Sequence, residues 1–210
     1  KGRKPKLLIG LDDGLFSNFE NAVPLLEKYG FTGWFFLPAK ILEKQFSSED
    51  QRHFADNASI PHNSSSEKVF LDNNDVKILR NNKHFIGCHS YSHLRLSDDL
   101  SSEVLNTEVN HACQLFFDKN NCDYKSFAWV GGEEYSYGLK ALNLLRRQNL
   151  DLIFATNCSP ITKKSHRYNL NRYDASAHYN LNETRFALSS IYTLGYFFKR
   201  RRLRKNIGLV

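Results

Sequence analysis

Strand patterns and helical patterns alternate along most of this chain. Short apolar runs typical of buried strands lie at residues 6–11, 31–37, 84–88, 126–130 and 152–156. Apolar residues with helical spacing lie between them at 17–29, 73–80, 97–119 and 137–148, and Ser17 with Glu20 has the pattern of a capping box. Because this alternation is typical of parallel sheets, we predict an α/β fold with mainly parallel strands.

The remaining segments are less regular. Residues 38–68 are polar and rich in Ser, Asn and His, which predicts a long loop or insertion. Residues 157–180 contain one candidate strand at 168–173. The chain has 210 residues, so we expect a single domain over 1–210, ending in a basic C-terminal helix at about 183–205.

The net charge of +7 is concentrated at the two ends of the chain. Four basic residues lie within 1–6 and six within 199–205, so residues 7–198 hold the other 19 basic residues against all 22 acidic ones. The body is therefore slightly acidic and lacks the basic, aromatic-containing pattern of a nucleic-acid interface. No nucleic-acid partner is expected.

The C-terminal segment combines apolar and basic residues. The apolar residues that precede the basic run 199–205 are Leu188, Ile191, Tyr192, Leu194, Phe197 and Phe198. Such a helix can make a peripheral contact with an anionic membrane, or it can cover the domain and end in a solvated charged run. We favour the second interpretation, because a basic last turn also suits the helix dipole.

The compartment is not fixed by the sequence. No apolar run reaches the roughly 18 residues that span a bilayer. The chain starts at Lys1 and contains no Met, so we expect a fragment or a processed form and leave a removed signal peptide or anchor open. The cell envelope is favoured over the cytoplasm.

Carboxylates, imidazoles and glycines follow the predicted strands. Asp12 and Asp13 come directly after the first strand, His89 follows the third with His93 four residues later, and Gly131 follows the fourth. Because the carboxyl ends of parallel strands meet at one edge, these residues can converge in one pocket.

These residue types suit metal-assisted hydrolysis. Two adjacent buried carboxylates raise each other's pKa, and a divalent metal bound to one of them removes that cost. Asp13, His89 and His93 form a set of two imidazoles and one carboxylate with positions open for water and substrate. Asp12 then stays available to deprotonate a metal-bound water. The competing interpretation is that Asp12-Asp13-Gly14 is only a turn.

Three segments resemble the motifs of the polysaccharide deacetylases, also called the NodB-homology domain or carbohydrate esterase family four. Residues 10–14 (GLDDG) resemble the first motif, residues 89–93 (HSYSH) match the second, and residues 127–132 (FAWVGG) resemble the third in its Phe-Ala-Tyr-Pro form. The resemblance runs from about Leu7 to Thr156 in the family's motif order.

The resemblance implies a distorted (β/α) barrel that removes acetyl groups from an N-acetylated carbohydrate, a surface glycan or its precursor. It implies that Asp12 is the general base and that Asp13, His89 and His93 bind a divalent metal, usually zinc. In the family the third motif supplies a backbone N–H to the oxyanion hole, and here that donor would be Gly131.

The chain departs from the family's motifs in places. Gly10 replaces a Thr, Val130 replaces a Pro, and Ala128 occupies the position of an Arg that holds the base in the family. We hypothesise that Arg172 supplies the missing cation beside Asp12.

The general acid and the sugar contacts have weaker signals. The family's fifth motif, Leu-x-x-His, has no clean copy, so His178 is the first candidate for the general acid and His166 the second. Tyr91 is expected to shape the loop between the ligands and to contact substrate. Trp129 and Trp34 are either a sugar platform or buried aromatics.

Two alternatives to a deacetylase follow from these departures. One is a glycan-binding module that keeps the metal and has lost catalysis through the altered third and fifth motifs. The other is a related hydrolase of a different amide, such as a formamide.

Overall fold

The computed structural model describes residues 6–43, 46–63, 67–175, 178–206 and 208, so the basic residues Lys1, Arg3 and Lys4 lie outside the described part. The strands are β1 (Ile9–Leu11), β2 (Gly33–Leu37), β3 (Phe85–Cys88), β4 (Ser126–Ala128), β5 (Leu152–Ala155) and β6 (Leu170–Asn171). The α-helices are α1 (Phe16–Lys28), α2 (Ser48–Asn57), α3 (Asn73–Asn81), α4 (Ser102–Leu105), α5 (Ala112–Lys119), α6 (Leu139–Arg147), α7 (Leu181–Ala187), α8 (Ser190–Gly195) and α9 (Phe197–Asn206). Ala39–Leu42 and Glu134–Ser136 are 3-10 helices, and Asn106–His111 is π-helical.

The chain divides into two compact units. The first contains residues Lys1–His93 and Ala112–Tyr124, and the second contains Leu94–His111 and Lys125–Val210. In the first unit β1 pairs with β2 and β2 with β3, and both pairs are parallel. In the second unit β4 pairs with β5 and β5 with β6, again in parallel. These pairings confirm the prediction of an α/β fold with mainly parallel strands.

The core of the first unit is built on β2. All five of its residues are buried, and Phe36 and Leu37 are fully inaccessible to solvent. A parallel strand covered on both faces needs apolar residues at successive positions, which explains the unbroken run that predicted it. The carboxyl end of β2 leads directly into the 3-10 helix Ala39–Leu42, whose backbone contacts the candidate site.

Two local predictions for the first unit are wrong. Helix α1 begins at Phe16 with Leu15 at its N-cap and has no side-chain cap, so the predicted capping box at Ser17 does not form. Residues 38–68 are not one long loop, because they contain α2. A capping box of Ser47 and Asp50 begins that helix, with a short Asp in the position that Glu more often occupies.

The helix predicted over 97–119 begins later, at Ser102, where Ser101 caps it. The preceding segment is engaged elsewhere in the second unit. Leu96 forms an isolated parallel bridge with Tyr137, and the Asp98 carboxylate accepts hydrogen bonds from the first N–H groups of α6. Asp98 therefore caps α6 instead of entering the predicted helix.

The helix predicted over 183–205 is divided into α7, α8 and α9. Asn180 caps α7 through a box with Glu183, and Ser189 caps α8. The favoured interpretation, in which this segment covers the domain with its apolar side chains, is wrong for Ile191 and Leu194, which are each 69% exposed. In α9 it is Leu203 that is buried. In the described part of the chain, no helix combines the length and apolar content needed to cross a bilayer.

We predict that Gly14→Ala destabilises the protein by roughly 3 kcal/mol, whereas Gly30→Ala costs about 1 kcal/mol. Both glycines have left-handed backbones, with φ of +68° and +69°. A Cβ at Gly14 would lie 2.7 Å from Cδ1 of Ile41 and 3.2 Å from Cγ of Leu37, while a Cβ at Gly30 would meet nothing within 4 Å. Urea unfolding of both variants measures the difference, and equal losses would contradict the steric argument.

Candidate metal and active site

Asp13, His89 and His93 converge at the carboxyl ends of β1 and β3. Asp13 lies in the turn after β1, and His89 follows β3 directly. The Nε2 atoms of His93 and His89 lie 3.0 Å and 3.5 Å from the same atom, Oδ1 of Asp13. One ligand atom from each residue lies within 4.8 Å of the other two. The geometry brings together the three residues that the spacing predicted as metal ligands.

The backbone around these ligands is held in left-handed conformations. Asp13, Ser90 and His93 have φ values of 71°, 62° and 60°. Each such residue that is not glycine costs about 1 kcal/mol, and such costs persist where surrounding contacts hold the conformation.

Backbone hydrogen bonds hold the segment that carries the histidines. The N–H groups of Ala39 and Lys40 donate to the carbonyls of Ser90 and Tyr91, at 2.9 Å and 3.1 Å. The His89 N–H donates to the carbonyl of Leu37 at 2.9 Å. The end of β2 and the 3-10 helix therefore fix the conformation of this segment.

The protonation of the site suits a cation. Burial opposes ionisation of Asp13, but hydrogen bonds from His89 and His93 outweigh it and hold its pKa well below the usual range. Nδ1 of His93 lies 3.3 Å from the carbonyl of Ala58, which can only accept, so this nitrogen carries the proton. If a cation takes the place of the proton between Nε2 and Asp13, the neutral ring would offer it the Nε2 lone pair, as a metal ligand must. The donor set of two imidazoles and one carboxylate fits a divalent ion.

Asp12 and Tyr91 lie beside these ligands in the sequence and are half-buried. The side-chain amide of Asn18 lies 3.4 Å from the backbone carbonyl of Asp12, which ties the turn to α1. The hydroxyl of Tyr91 donates to Glu43 at 2.5 Å. This bond supports the prediction that Tyr91 shapes the loop between the ligands.

The third-motif residues lie in the second unit. Gly131 follows β4 with φ of +76°, a conformation that favours glycine. Trp129 is 2% exposed and packs edge-on against Phe127 and Tyr137. This burial corrects the prediction of a sugar platform at Trp129 in favour of the alternative of a buried aromatic. Trp34, in the first unit, is also buried.

The other predicted residues of the second unit lie near β6 in the sequence, His166 before it and Arg172 and His178 after it. The Arg172 N–H donates to the carbonyl of Ala155, and its guanidinium lies 6.0 Å from the ring of Phe154. His178 is exposed in a turn before α7, and His166 is exposed as well. Burial and nearby arginines lower the pKa of His166. The roles of Asp12, Arg172 and His178 stay predictions.

Several contacts at these positions have little sequence signal. The carbonyl of Ala58 that orients His93 is a backbone group, so the residue type at position 58 does not predict this contact. Glu43 is 48 residues from Tyr91. Glu133 and Arg95, whose side chains lie next to Gly131, are 38 residues apart. The pattern of a charged residue in a loop indicates no more for Glu133 than a solvated side chain.

Comparison with solved structures shows the fold. The chain is similar to the Streptococcus pyogenes deacetylase PplD, at 17% identity and a TM-score of 0.65, over 87% of this chain and 70% of that one. It is similar to a de-N-acetylase from Aggregatibacter actinomycetemcomitans, at 13% and 0.61, over 86% and 74%. It is also similar to IcaB from Ammonifex degensii, at 15% and 0.58, over 87% and 72%. The expected distorted (β/α) barrel is thereby confirmed.

Comparison of sequences shows the family. Curated protein sequences return no match to the chain. A family model described as polysaccharide deacetylase matches residues 1–152, well over half of the 210 residues. The matched range contains the metal-ligand segments 10–14 and 89–93 as well as the third-motif segment 127–132. The chain therefore belongs to the polysaccharide deacetylase family.

Proposed function

We propose that this protein is a metal-dependent hydrolase that removes N-acetyl groups from a carbohydrate of the cell surface or from its precursor. The observation that carries the proposal is the convergence of Asp13, His89 and His93 on one point at the strand ends. These residues would hold a divalent ion, and we propose zinc because imidazole and carboxylate are its common ligands in hydrolases. A bound ion of this kind lowers the pKa of a coordinated water and polarises a carbonyl.

The chain's own residues would carry the remaining steps. Asp12, next to the ligand Asp13, would accept the proton of the attacking water. The Gly131 N–H would donate to the acetamide oxygen as negative charge develops there. Arg172 would hold Asp12 ionised, and His178 would protonate the leaving amine. We also propose that residues 1–210 act as a single catalytic domain.

We predict that substitution of the ligand Asp13 and substitution of the base Asp12 have different effects. Asp13→Ala removes a ligand and should weaken zinc binding at least about 100-fold, measured by calorimetry on metal-free protein. Asp12→Asn should leave zinc affinity unchanged and lower kcat/KM for acetate release from chitooligosaccharide about 1,000-fold. Wild-type catalysis in Asp12→Asn would contradict its role as base.

The same assay separates the alternatives. Wild-type protein treated with a chelator should lose acetate release and regain it with added zinc. Glycan binding and zinc binding without turnover on several N-acetylated substrates would favour the binding module. Turnover restricted to an N-formyl substrate would favour the related amide hydrolase.

We predict that Arg172→Ala lowers kcat strongly, because Asp12 would lose the cation that keeps it a carboxylate. The pH dependence of kcat/KM should shift in a defined direction. Loss of a neighbouring cation raises the pKa of a carboxyl group, so the acid limb of kcat/KM should move to higher pH. Arg167→Ala is a matched control, since Arg167 lies nearby in the sequence and donates to Tyr168 on the surface. An unchanged profile in Arg172→Ala would show that Arg172 does not act on the base.

We propose further that the C-terminal helices contact an anionic membrane. Seven large apolar residues of these helices are exposed, which we call the C-terminal apolar patch: Leu181, Phe186, Leu188, Ile191, Leu194, Phe197 and Phe198. Residues 181–206 contain seven basic residues and one acidic residue, so they carry six of the chain's seven net positive charges.

Only part of this basic run is available to a membrane. Arg200 donates to the carbonyls of Asn157, Cys158 and Thr193, and Arg202 pairs with Glu134. Exposed cations of the same C-terminal segment include Arg185, Arg201, Arg204 and Lys205. Each basic residue near an anionic surface contributes about 1 kcal/mol.

We predict that the protein sediments with phosphatidylglycerol-containing vesicles and not with pure phosphatidylcholine vesicles. Ile191→Asn combined with Leu194→Asn should abolish this binding. Ile161→Asn, at a 47% exposed residue outside the patch, is the control. Equal vesicle binding by the double variant and the Ile161→Asn control would contradict the contact. Binding to vesicles that lack anionic lipid, retained in high salt, would contradict it as well.

A further inference from the structure

In the turn after β4, the backbone groups of Gly131 and Gly132 differ in their partners. The Gly131 carbonyl accepts from the hydroxyl of Tyr137 at 3.5 Å, and the Gly132 carbonyl accepts from Nζ of Lys199. Burial raises the pKa of Tyr137 to about 12, so this hydroxyl keeps its proton. The Gly132 N–H donates to Oε2 of Glu133 at 3.1 Å. Within the described residues, the Gly131 N–H has no partner.

Glu133 gathers the contacts that fix this turn. Its Oε2 atom accepts from the Gly132 N–H, from Oγ of Ser136 at 2.9 Å and from Nε of Arg95 at 3.1 Å. Arg95 also reaches Oε1 at 3.4 Å, so the guanidinium faces both carboxylate oxygens. Hydrogen bonds from Arg95 and from the turn lower the pKa of Glu133 to about 2. The carboxylate is therefore charged, and its bonds to the turn are strengthened by that charge.

The side chains of Glu133, Arg95 and Ser136 also surround the position that a Cβ of residue 131 would take. A Cβ at Gly131 would lie 2.6 Å from Oε2 of Glu133, 2.8 Å from Nε of Arg95 and 3.0 Å from Oγ of Ser136. These neighbours leave little space around Gly131, whose left-handed φ favours glycine. Ion pairs as exposed as Arg95 and Glu133 contribute little to stability by themselves. Their contribution here is to conformation.

We infer that Glu133 is a positioning residue for catalysis. Its carboxylate accepts the hydrogen bond of the Gly132 N–H and, together with Arg95 and Ser136, fixes the turn. The Gly131 N–H is thereby kept available to the developing oxyanion. This inference rests on the proposed function, because the oxyanion is that of the acetamide. Removal of an oxyanion-hole donor costs about 100- to 1,000-fold in kcat, and a loosened donor costs part of that.

The turn can be observed without activity. In protein labelled with ¹⁵N-glycine, which contains 11 glycines, Gly132→Ala assigns the Gly132 amide by its disappearance. A Cβ at position 132 would meet nothing closer than 3.5 Å, so no steric clash opposes that substitution. A bond to a carboxylate moves an amide proton downfield. Glu133→Ala should return the Gly132 resonance upfield, and Glu133→Gln, which keeps an oxygen acceptor, should return it only in part.

Kinetics test the catalytic consequence. Glu133→Ala should lower kcat about 10- to 100-fold with KM and zinc affinity unchanged, and Glu133→Gln should recover most of kcat. Glu134→Ala is the matched control, because the neighbouring Glu134 pairs with Arg202 and should leave kcat unchanged.

Each outcome bears on one claim. Wild-type kcat in Glu133→Ala, or a Gly132 resonance that does not move, would overturn the inference. An equal loss in Glu134→Ala would overturn it too, because the effect would then be a general one of charge. If the wild type binds zinc and releases no acetate, the proposed function fails and with it the oxyanion role, while the Gly132 resonance still reports whether Glu133 holds the turn.

Discussion

The close approach of three electron-rich atoms determines how the first unit is built. Oδ1 of Asp13 lies 3.0 Å from Nε2 of His93 and 3.5 Å from Nε2 of His89. Such atoms repel one another unless a proton or a cation lies among them. The surrounding structure therefore has to impose the arrangement. Strand ends supply the direction, and left-handed turns supply the sharp bends. Ala58, the C-cap residue of α2, supplies the carbonyl that orients one ring.

The type and order of most elements could be predicted from the sequence, because a buried parallel strand is a local apolar run and β2 is the clearest case. Element ends were predicted less well, because caps compete over long distances. Asp98 caps α6, 41 residues further on, so the helix expected from Ser97 starts at Ser102. Near Ser17, the chain enters α1 two residues too early for the serine to act as the cap.

The candidate site divides in a similar way. The metal ligands were visible because three chemically distinctive residues follow two predicted strands, and the structure brings them together. The family resemblance added roles for Asp12 and Gly131 that spacing alone does not distinguish. The sequence could not decide between a sugar platform and a buried aromatic at Trp129, which is 2% exposed, because both have the same sequence pattern. The role of Glu133 was missed because its charged partner, Arg95, becomes a neighbour only after folding.

Main-chain hydrogen bonds hold the segment between the histidines to the end of β2 and to the 3-10 helix that follows it. Ala39, Lys40 and His89 donate, and Ser90, Tyr91 and Leu37 accept, through atoms that every such residue possesses. Side chains at these positions can therefore change without loss of the frame that aims the ligands. Such a frame allows wide divergence, which accords with a shared fold at 13–17% identity to solved deacetylases. The conformation of residues 89–93 thus depends little on which side chains surround it.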